Sequence, residues 1–211
     1  MERVICLIIG YVFGLFQTGY LYSKAHNMDI RKYGSGNSGS TNVLRVMGKK
    51  AALIVFIGDV SKMILACLLT RYLYREQPGM MYVYLLYTGF GVVLGHNFPF
   101  YMGFKGGKGI AASAGLFAAL DWRIMVVCLV VFVLVVALTR YVSLGSILVM
   151  LLFLAGMLFF GMRGDYGVEE QALPEFYVMA SVITMMAVWR HRSNIKRLLS
   201  GTENKLGAKK A

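Results

Sequence analysis

The sequence predicts an all-α integral membrane fold, a bundle of about seven transmembrane helices. Three observations predict it. Hydrophobic residues make up 58% of the 211-residue chain and charged residues only 15%, against about a quarter charged in a soluble domain. Apolar runs long enough to cross a hydrocarbon core of roughly 30 Å recur along the chain. Lys and Arg gather in alternate connections between those runs. The whole chain, 1–211, reads as one domain with no water-soluble part left over.

The first run, 4–22, begins almost at Met1 and lacks a convincing small-residue cleavage site. It reads as a retained helix. The others fall at 51–74, 80–95, 110–120, 124–139, 144–162 and 176–189. The fourth is short, so local thinning or packing inside the bundle has to accommodate it. Gly, Ala and Ser are frequent in the runs, as close helix contact in lipid favours. Cys6, Cys67 and Cys128 each lie in a run without metal-ligand spacing, and read as packed or lipid-facing. Asp59 and Lys62, three apart in the second run, read as a structural pair across one turn, or as groups lining a site.

Charge orients the bundle. The segments 23–50, 96–109, 140–143 and the tail from Arg190 hold sixteen Lys/Arg and two acids, Asp29 and Glu203. The opposite connections hold five Lys/Arg (Arg3, Arg71, Arg75, Arg123, Arg163) and seven acids. That bias puts the N-terminus outside and the C-terminus in the cytoplasm. It also accounts for the net charge of +12 without nucleic acid as a partner.

Four basic-side segments carry possible chemistry. The first is GSGNSGSTNVLR at 34–45. Alternating glycine frees backbone N–H groups to converge on an anion, phosphate being the usual guest. Ser35, Gly36, Asn37, Ser38, Thr41 and Asn42 supply polar groups, and Arg45 a planar fork. A flexible Gly/Ser linker is the blander reading. The second is Gly95-His96-Asn97-Phe98-Pro99-Phe100, then Lys105, Gly106, Gly107, Lys108 and Gly109 ahead of a helical run. A helix N-terminus beside two ammonium groups is an anion site, although two lysines next to a turn fit the positive-inside bias equally well. It is not a Walker A loop, because Gly109 follows Lys108. The third holds Ser143 and Ser146 near a helix start, where serines are more often caps than ligands. The fourth is HRSNIKRLLSGTE at 191–203. If helical, it puts His191 and Asn194 on one face; a basic tail lying on anionic lipid is the alternative. Lys209 and Lys210 read as a solvated end. The sequence shows no metal-ligand cluster.

These motifs together closely resemble the bacterial membrane acyl-phosphate:glycerol-3-phosphate acyltransferases (PlsY type), through GSGNSGSTNVLR, GHNFPFYMGFKGGKGIA at 95–111 and the tail motif. The resemblance extends over the whole chain. It implies seven spans in the bacterial plasma (inner) membrane and a cytoplasmic active site. It also implies acyl transfer from acyl phosphate to the 1-hydroxyl of glycerol 3-phosphate. Lysophosphatidate and phosphate would be the products, at the first step of phospholipid synthesis. No cofactor, coenzyme A or ATP is expected, and a monomer could suffice. His191, Asn194 and Arg45 are the expected catalytic residues. Ser35, Gly36, Asn37, Ser38, Thr41, Asn42, Lys105, Gly106, Gly107, Lys108, Gly109 and Ser143 are expected to bind substrate phosphate. Glu203 is expected to hold the tail. The rival readings are a transporter or flippase of organic phosphates, which would carry symmetric halves and midplane polar groups, and a non-catalytic scaffold.

Overall fold

The computed structural model describes residues 1–207, so Lys209 and Lys210 lie outside the described residues. The described chain is helical throughout. The helices are α1 (Glu2–Gly14), α2 (Thr18–Ala25), α3 (Ser40–Leu73), α4 (Met81–Asn97), α5 (Ile110–Leu120), α6 (Trp122–Thr139), α7 (Val142–Met162), α8 (Leu173–Arg190) and α9 (Arg192–Leu199). Six segments are long and apolar enough to cross a membrane, and α5 is a shorter apolar helix of 11 residues. Leu138, Leu53, Ile8 and Val133 stand more than half exposed on their helices, as lipid-facing side chains do.

The first apolar run is not one helix. It breaks at Leu15–Gln17, between α1 and α2. A break within a span frees backbone carbonyls that need partners. Gln17 supplies one, its Nε2 donating to the Gly14 carbonyl at 3.1 Å. Lys62 supplies another, donating to the Phe16 carbonyl at 2.8 Å. The break therefore carries its own polar cluster inside the bundle.

The second run extends further back than its apolar stretch suggests. Helix α3 starts at Ser40, with a sharp turn at Gly48, where φ is +86°. Only glycine adopts that conformation without strain. The segment 40–47 is thus a separate short helix ahead of the span, and the last six residues of the GSGNSGSTNVLR motif are helical.

Helices α1 and α4 pack backbone to backbone. Gly10 and Gly14 on α1 face Gly91 and Gly95 on α4. A Cβ at Gly10 would lie 2.8 Å from the Val92 nitrogen, and one at Gly95 would lie 3.0 Å from the Gly14 Cα. Two small-xxx-small stripes allow this approach. The contact brings Gln17 to the end of α4, where its Nε2 also donates to the His96 carbonyl at 3.0 Å. Phe117, Phe153, Leu116 and Met150 fill the core among α5, α7 and their neighbours. All three cysteines are free and buried.

The two ends of the bundle differ in charge. At one end, Arg3 pairs bidentately with Glu175, and Arg123 pairs with Asp121 and Asp165. At the other lie the basic segments 23–47, 98–109 and 190–207.

Candidate active site

The basic end is where the sequence motifs meet. The 34–45 segment is folded around Asn42, which is 1% exposed. Its Oδ1 accepts from Ser35 N–H at 2.8 Å, and its Nδ2 donates to the carbonyls of Asn37 (2.9 Å) and Tyr33 (3.0 Å). Its amide is therefore engaged with the loop's own main chain. Asn37 Oδ1 accepts from Gly39 N–H at 2.9 Å. Buried Ser38 donates through Oγ to Gln17 at 3.4 Å. Ser35, Gly36 and Arg45 are exposed, and Thr41 is half-buried.

The 103–109 turn docks on the end of α4. Gly106 N–H donates to the Asn97 carbonyl at 3.1 Å, and Gly107 N–H to the His96 carbonyl at 3.0 Å. The sequence reading pointed these two N–H groups at an anion, whereas the main chain takes both. Gly107 is forced to be glycine by contact: a Cβ there would lie 2.8 Å from His96 Cδ2. Gly109 then caps α5 with φ +84° and no side-chain cap. The first amides of α5 have no acceptor within the helix. The free N–H groups of this segment are therefore those at the start of α5 and not those of Gly106 and Gly107. Lys105 is exposed.

The tail completes the cluster. Lys108 Nζ donates to Asn194 Oδ1. Asn194 Nδ2 donates to Glu203 Oε1 at 2.8 Å, and Arg197 Nε to Glu203 Oε2 at 2.8 Å. Buried Glu203 ties the tail to α9. Arg190 donates to the Gly107 carbonyl at 2.6 Å and lies over the Phe98 ring. Asn37 Nδ2 approaches the Gly106 carbonyl at 3.5 Å, joining the first motif to the second. The tail also crosses to the start of α7, where Leu206 N–H donates to the Arg140 carbonyl at 2.7 Å. Buried Ser143, in the first turn of α7, makes no hydrogen bond among the described residues and does not cap its helix.

The electrostatics are those of an anion receptor. Burial, together with the charges of Arg197, Arg190 and Arg45, pushes the Lys108 ammonium down to about 8, against the attraction of Glu203. Burial and the Lys108 charge push His191 down to about 4. His191 is therefore a neutral imidazole at pH 7. Its Nδ1 lies 2.8 Å from the Ala187 carbonyl and must donate to it, which leaves Nε2 as an acceptor. One carboxylate, Glu203, faces Arg45, Lys108 and Arg197. Among the described residues no cluster of His, Cys, Asp and Glu could hold a metal ion.

Three participants were not singled out from the sequence. Gln17, His96 and Arg190 hold the motifs together. A glutamine inside an apolar run and a histidine at a helix end were the available signals.

Known proteins resemble this chain along nearly its whole length. A family model described as glycerol-3-phosphate acyltransferase matches residues 4–201. A glycerol-3-phosphate acyltransferase of Thermoanaerobacter sp. (strain X514) is 41% identical, over 99% of this chain and 98% of its own. Its counterpart in Clostridioides difficile (strain 630) is 39% identical, over 98% and 97%. Crystal structures of PlsY (YgiH), an integral membrane glycerol 3-phosphate acyltransferase, have the same fold. Its glycerol 3-phosphate form superposes with a TM-score of 0.83 at 34% identity, covering 98% of this chain and 96% of that one. Its lysophosphatidic acid form gives 0.81 at 33%. A helical membrane bundle with a cationic site at one end, matched along its length by these relatives, belongs to the glycerol-3-phosphate acyltransferase family.

Proposed function

We propose that the chain, acting as a single domain, transfers a fatty acyl group from acyl phosphate to the 1-hydroxyl of glycerol 3-phosphate. The products are lysophosphatidate and inorganic phosphate. The observation that carries this reading is the cation cluster of Arg45, Lys108 and Arg197 around one buried carboxylate, with Arg190 near Lys108. Two phosphate-bearing substrates bring several negative charges to one place, and this cluster is built to receive them. The end of the bundle that holds it is the Lys/Arg-rich one, which the positive-inside rule assigns to the cytoplasm. The bundle would then lie in the bacterial plasma membrane, with glycerol 3-phosphate reaching the site from water and the acyl donor from lipid.

An acyl phosphate is a mixed anhydride and is already activated. The glycerol hydroxyl oxygen attacks the acyl carbon, the carbon–oxygen bond to phosphate breaks, and phosphate leaves with the electron pair. No coenzyme A, ATP or covalent enzyme intermediate is needed. Positioning supplies roughly 7–11 kcal/mol of such a barrier, and fixed cations stabilise the departing phosphate. Ser35, Gly36, Asn37, Ser38, Thr41, Asn42 and Arg45 form one phosphate wall. Lys105, Gly106, Gly107, Lys108, Gly109 and Ser143 form the other. Within the first wall Asn42 shapes the loop, and within the second Gly106 and Gly107 shape the turn. His191 and Asn194 orient the glycerol phosphate beside the acyl carbon. An imidazole held near 4 is a weak base. The leaving phosphate takes the hydroxyl proton.

The test is an assay of the pure protein, as a monomer in detergent, with labelled glycerol 3-phosphate and either palmitoyl phosphate or palmitoyl-coenzyme A. Acylated product from the phosphate donor alone is expected. Product from the thioester alone, or none from folded protein, would overturn the reading.

A further inference from the structure

Behind the glycine turn lies a buried charged cluster that the proposed chemistry does not use. Asp59 and Lys62 stand one turn apart on α3 and are 1% and 4% exposed. Lys62 Nζ lies 2.8 Å from Asp59 Oδ1, 2.8 Å from the Phe16 carbonyl and 2.8 Å from His96 Nδ1. Three acceptors around an ammonium match its three protons. Thr18 Oγ1 donates to the same Asp59 oxygen at 3.3 Å. Ionisable groups within a span are costly and are kept for a reason. A simple tie between α3 and the α1–α2 break needs only the Phe16 carbonyl. The contact with His96 is additional.

That contact has a chemical consequence. A ring whose Nδ1 accepts a hydrogen bond carries its proton on Nε2. His96 Nε2 is the ring atom that faces the glycine turn, where the ring edge lies against the position a Gly107 Cβ would occupy. Among the described residues, His96 hydrogen-bonds through Nδ1 and not through Nε2. The opposite arrangement, an uncharged Lys62 amine accepting from Nδ1–H, would turn a bare Nε2 lone pair toward the turn.

We infer that Lys62, held by Asp59, is a positioning residue for acyl transfer. It fixes the His96 ring against Gly107 and so holds in place the turn that carries Lys108 to the bound substrate. The identity of that substrate rests on the proposed function, whereas the state of the ring does not. Through this ring the charge pair inside the bundle acts on the interfacial site.

The experiment uses the full-length protein in detergent with nitrogen-15-labelled histidine rings. The chain has three histidines, so His26→Gln and His191→Gln variants assign the His96 signals. In the wild type, Nε2 is expected to carry the proton and Nδ1 to be bare. A double variant, Asp59→Asn with Lys62→Met, removes the pair without leaving one buried charge alone. It is expected to move the His96 Nδ1 resonance and to lower kcat about tenfold or more, with the KM for glycerol 3-phosphate held within about twofold. A proton on Nδ1 in the wild type would overturn the inference, and that spectrum decides the matter even if the double variant fails to fold. Unchanged kcat in a folded double variant would also overturn it. A wild type inactive toward palmitoyl phosphate but with its proton on Nε2 would instead remove the donor assignment and leave the ring geometry standing.

Discussion

Replacing Gly107 with alanine adds one methyl group at the tightest point of the glycine turn. A Cβ there would lie 2.8 Å from His96 Cδ2 and 2.9 Å from Cε1. Ordinary carbon contacts begin near 3.5 Å, so the ring or the turn has to move by more than half an ångström. The ring cannot yield easily, because Lys62 holds its Nδ1 and α4 is packed backbone to backbone on α1. The turn must yield instead, and with it Lys108 and the start of α5. Overpacking of this kind costs about 1–3 kcal/mol of stability. A displacement of about 1 Å in a positioned group costs about a hundredfold in rate. Initial rates with palmitoyl phosphate are expected to show kcat/KM down by about two orders of magnitude, in a protein that still purifies as a folded species. Gly103 is the internal control. A Cβ there meets nothing within 4 Å, and only its φ of +64° opposes the change, at a cost of about 1 kcal/mol. Gly103→Ala should stay within about threefold of wild type. Gly107→Ala with near-normal turnover would refute the docking of this turn on His96 as the basis of the site.

Three further outcomes follow from the same geometry. Arg45→Ala should lower kcat/KM by about a hundredfold, consistent with one or two charge-assisted hydrogen bonds worth about 1.5–3 kcal/mol each; initial rates check it, and near-normal turnover would remove its phosphate-anchoring role. His191 is depressed to about 4 from an ordinary 6.5, so the unfolded chain binds more protons between those values. Stability is therefore full above about pH 6.5 and falls as pH drops toward 4, by up to about 3 kcal/mol; thermal unfolding from pH 4 to 7 should show this slope in the wild type and a flatter one in His191→Gln. Lys108, depressed to about 8, loses its charge as pH rises through that value, so activity should fall on the alkaline side; in Lys108→Arg that fall should move to higher pH, since guanidinium stays charged.

Much of the architecture is legible in the sequence because lipid imposes length and apolarity on each span. The segment 110–120 was found to the residue as α5. The break at Leu15–Gln17 was not, since its stabilising partners, Lys62 and the Gly95 and His96 carbonyls, lie far along the chain. The helix from Ser40 was missed because its residues are polar and glycine-rich, and tertiary contacts through Asn42 decide the local structure. The Asp59–Lys62 pair was visible from its spacing. Its connection to His96 depends on how α3 and α4 are docked, and no local pattern encodes that. The motifs marked the segments that meet at the basic end of the bundle. They did not distinguish residues that are exposed, such as Ser35 and Arg45, from those that fold the loop, such as Asn42.

The central claim is acyl transfer from an acyl phosphate, by attack at the acyl carbon, at the cationic end of the bundle. Palmitoyl phosphate labelled with oxygen-18 at the oxygen bridging carbon and phosphorus tests it most directly. Pure protein with this donor and glycerol 3-phosphate, without coenzyme A, should release one phosphate per lysophosphatidate, with the label wholly in the phosphate. Label retained in the acylated product, or phosphate released from folded protein without any acylated product, would contradict it.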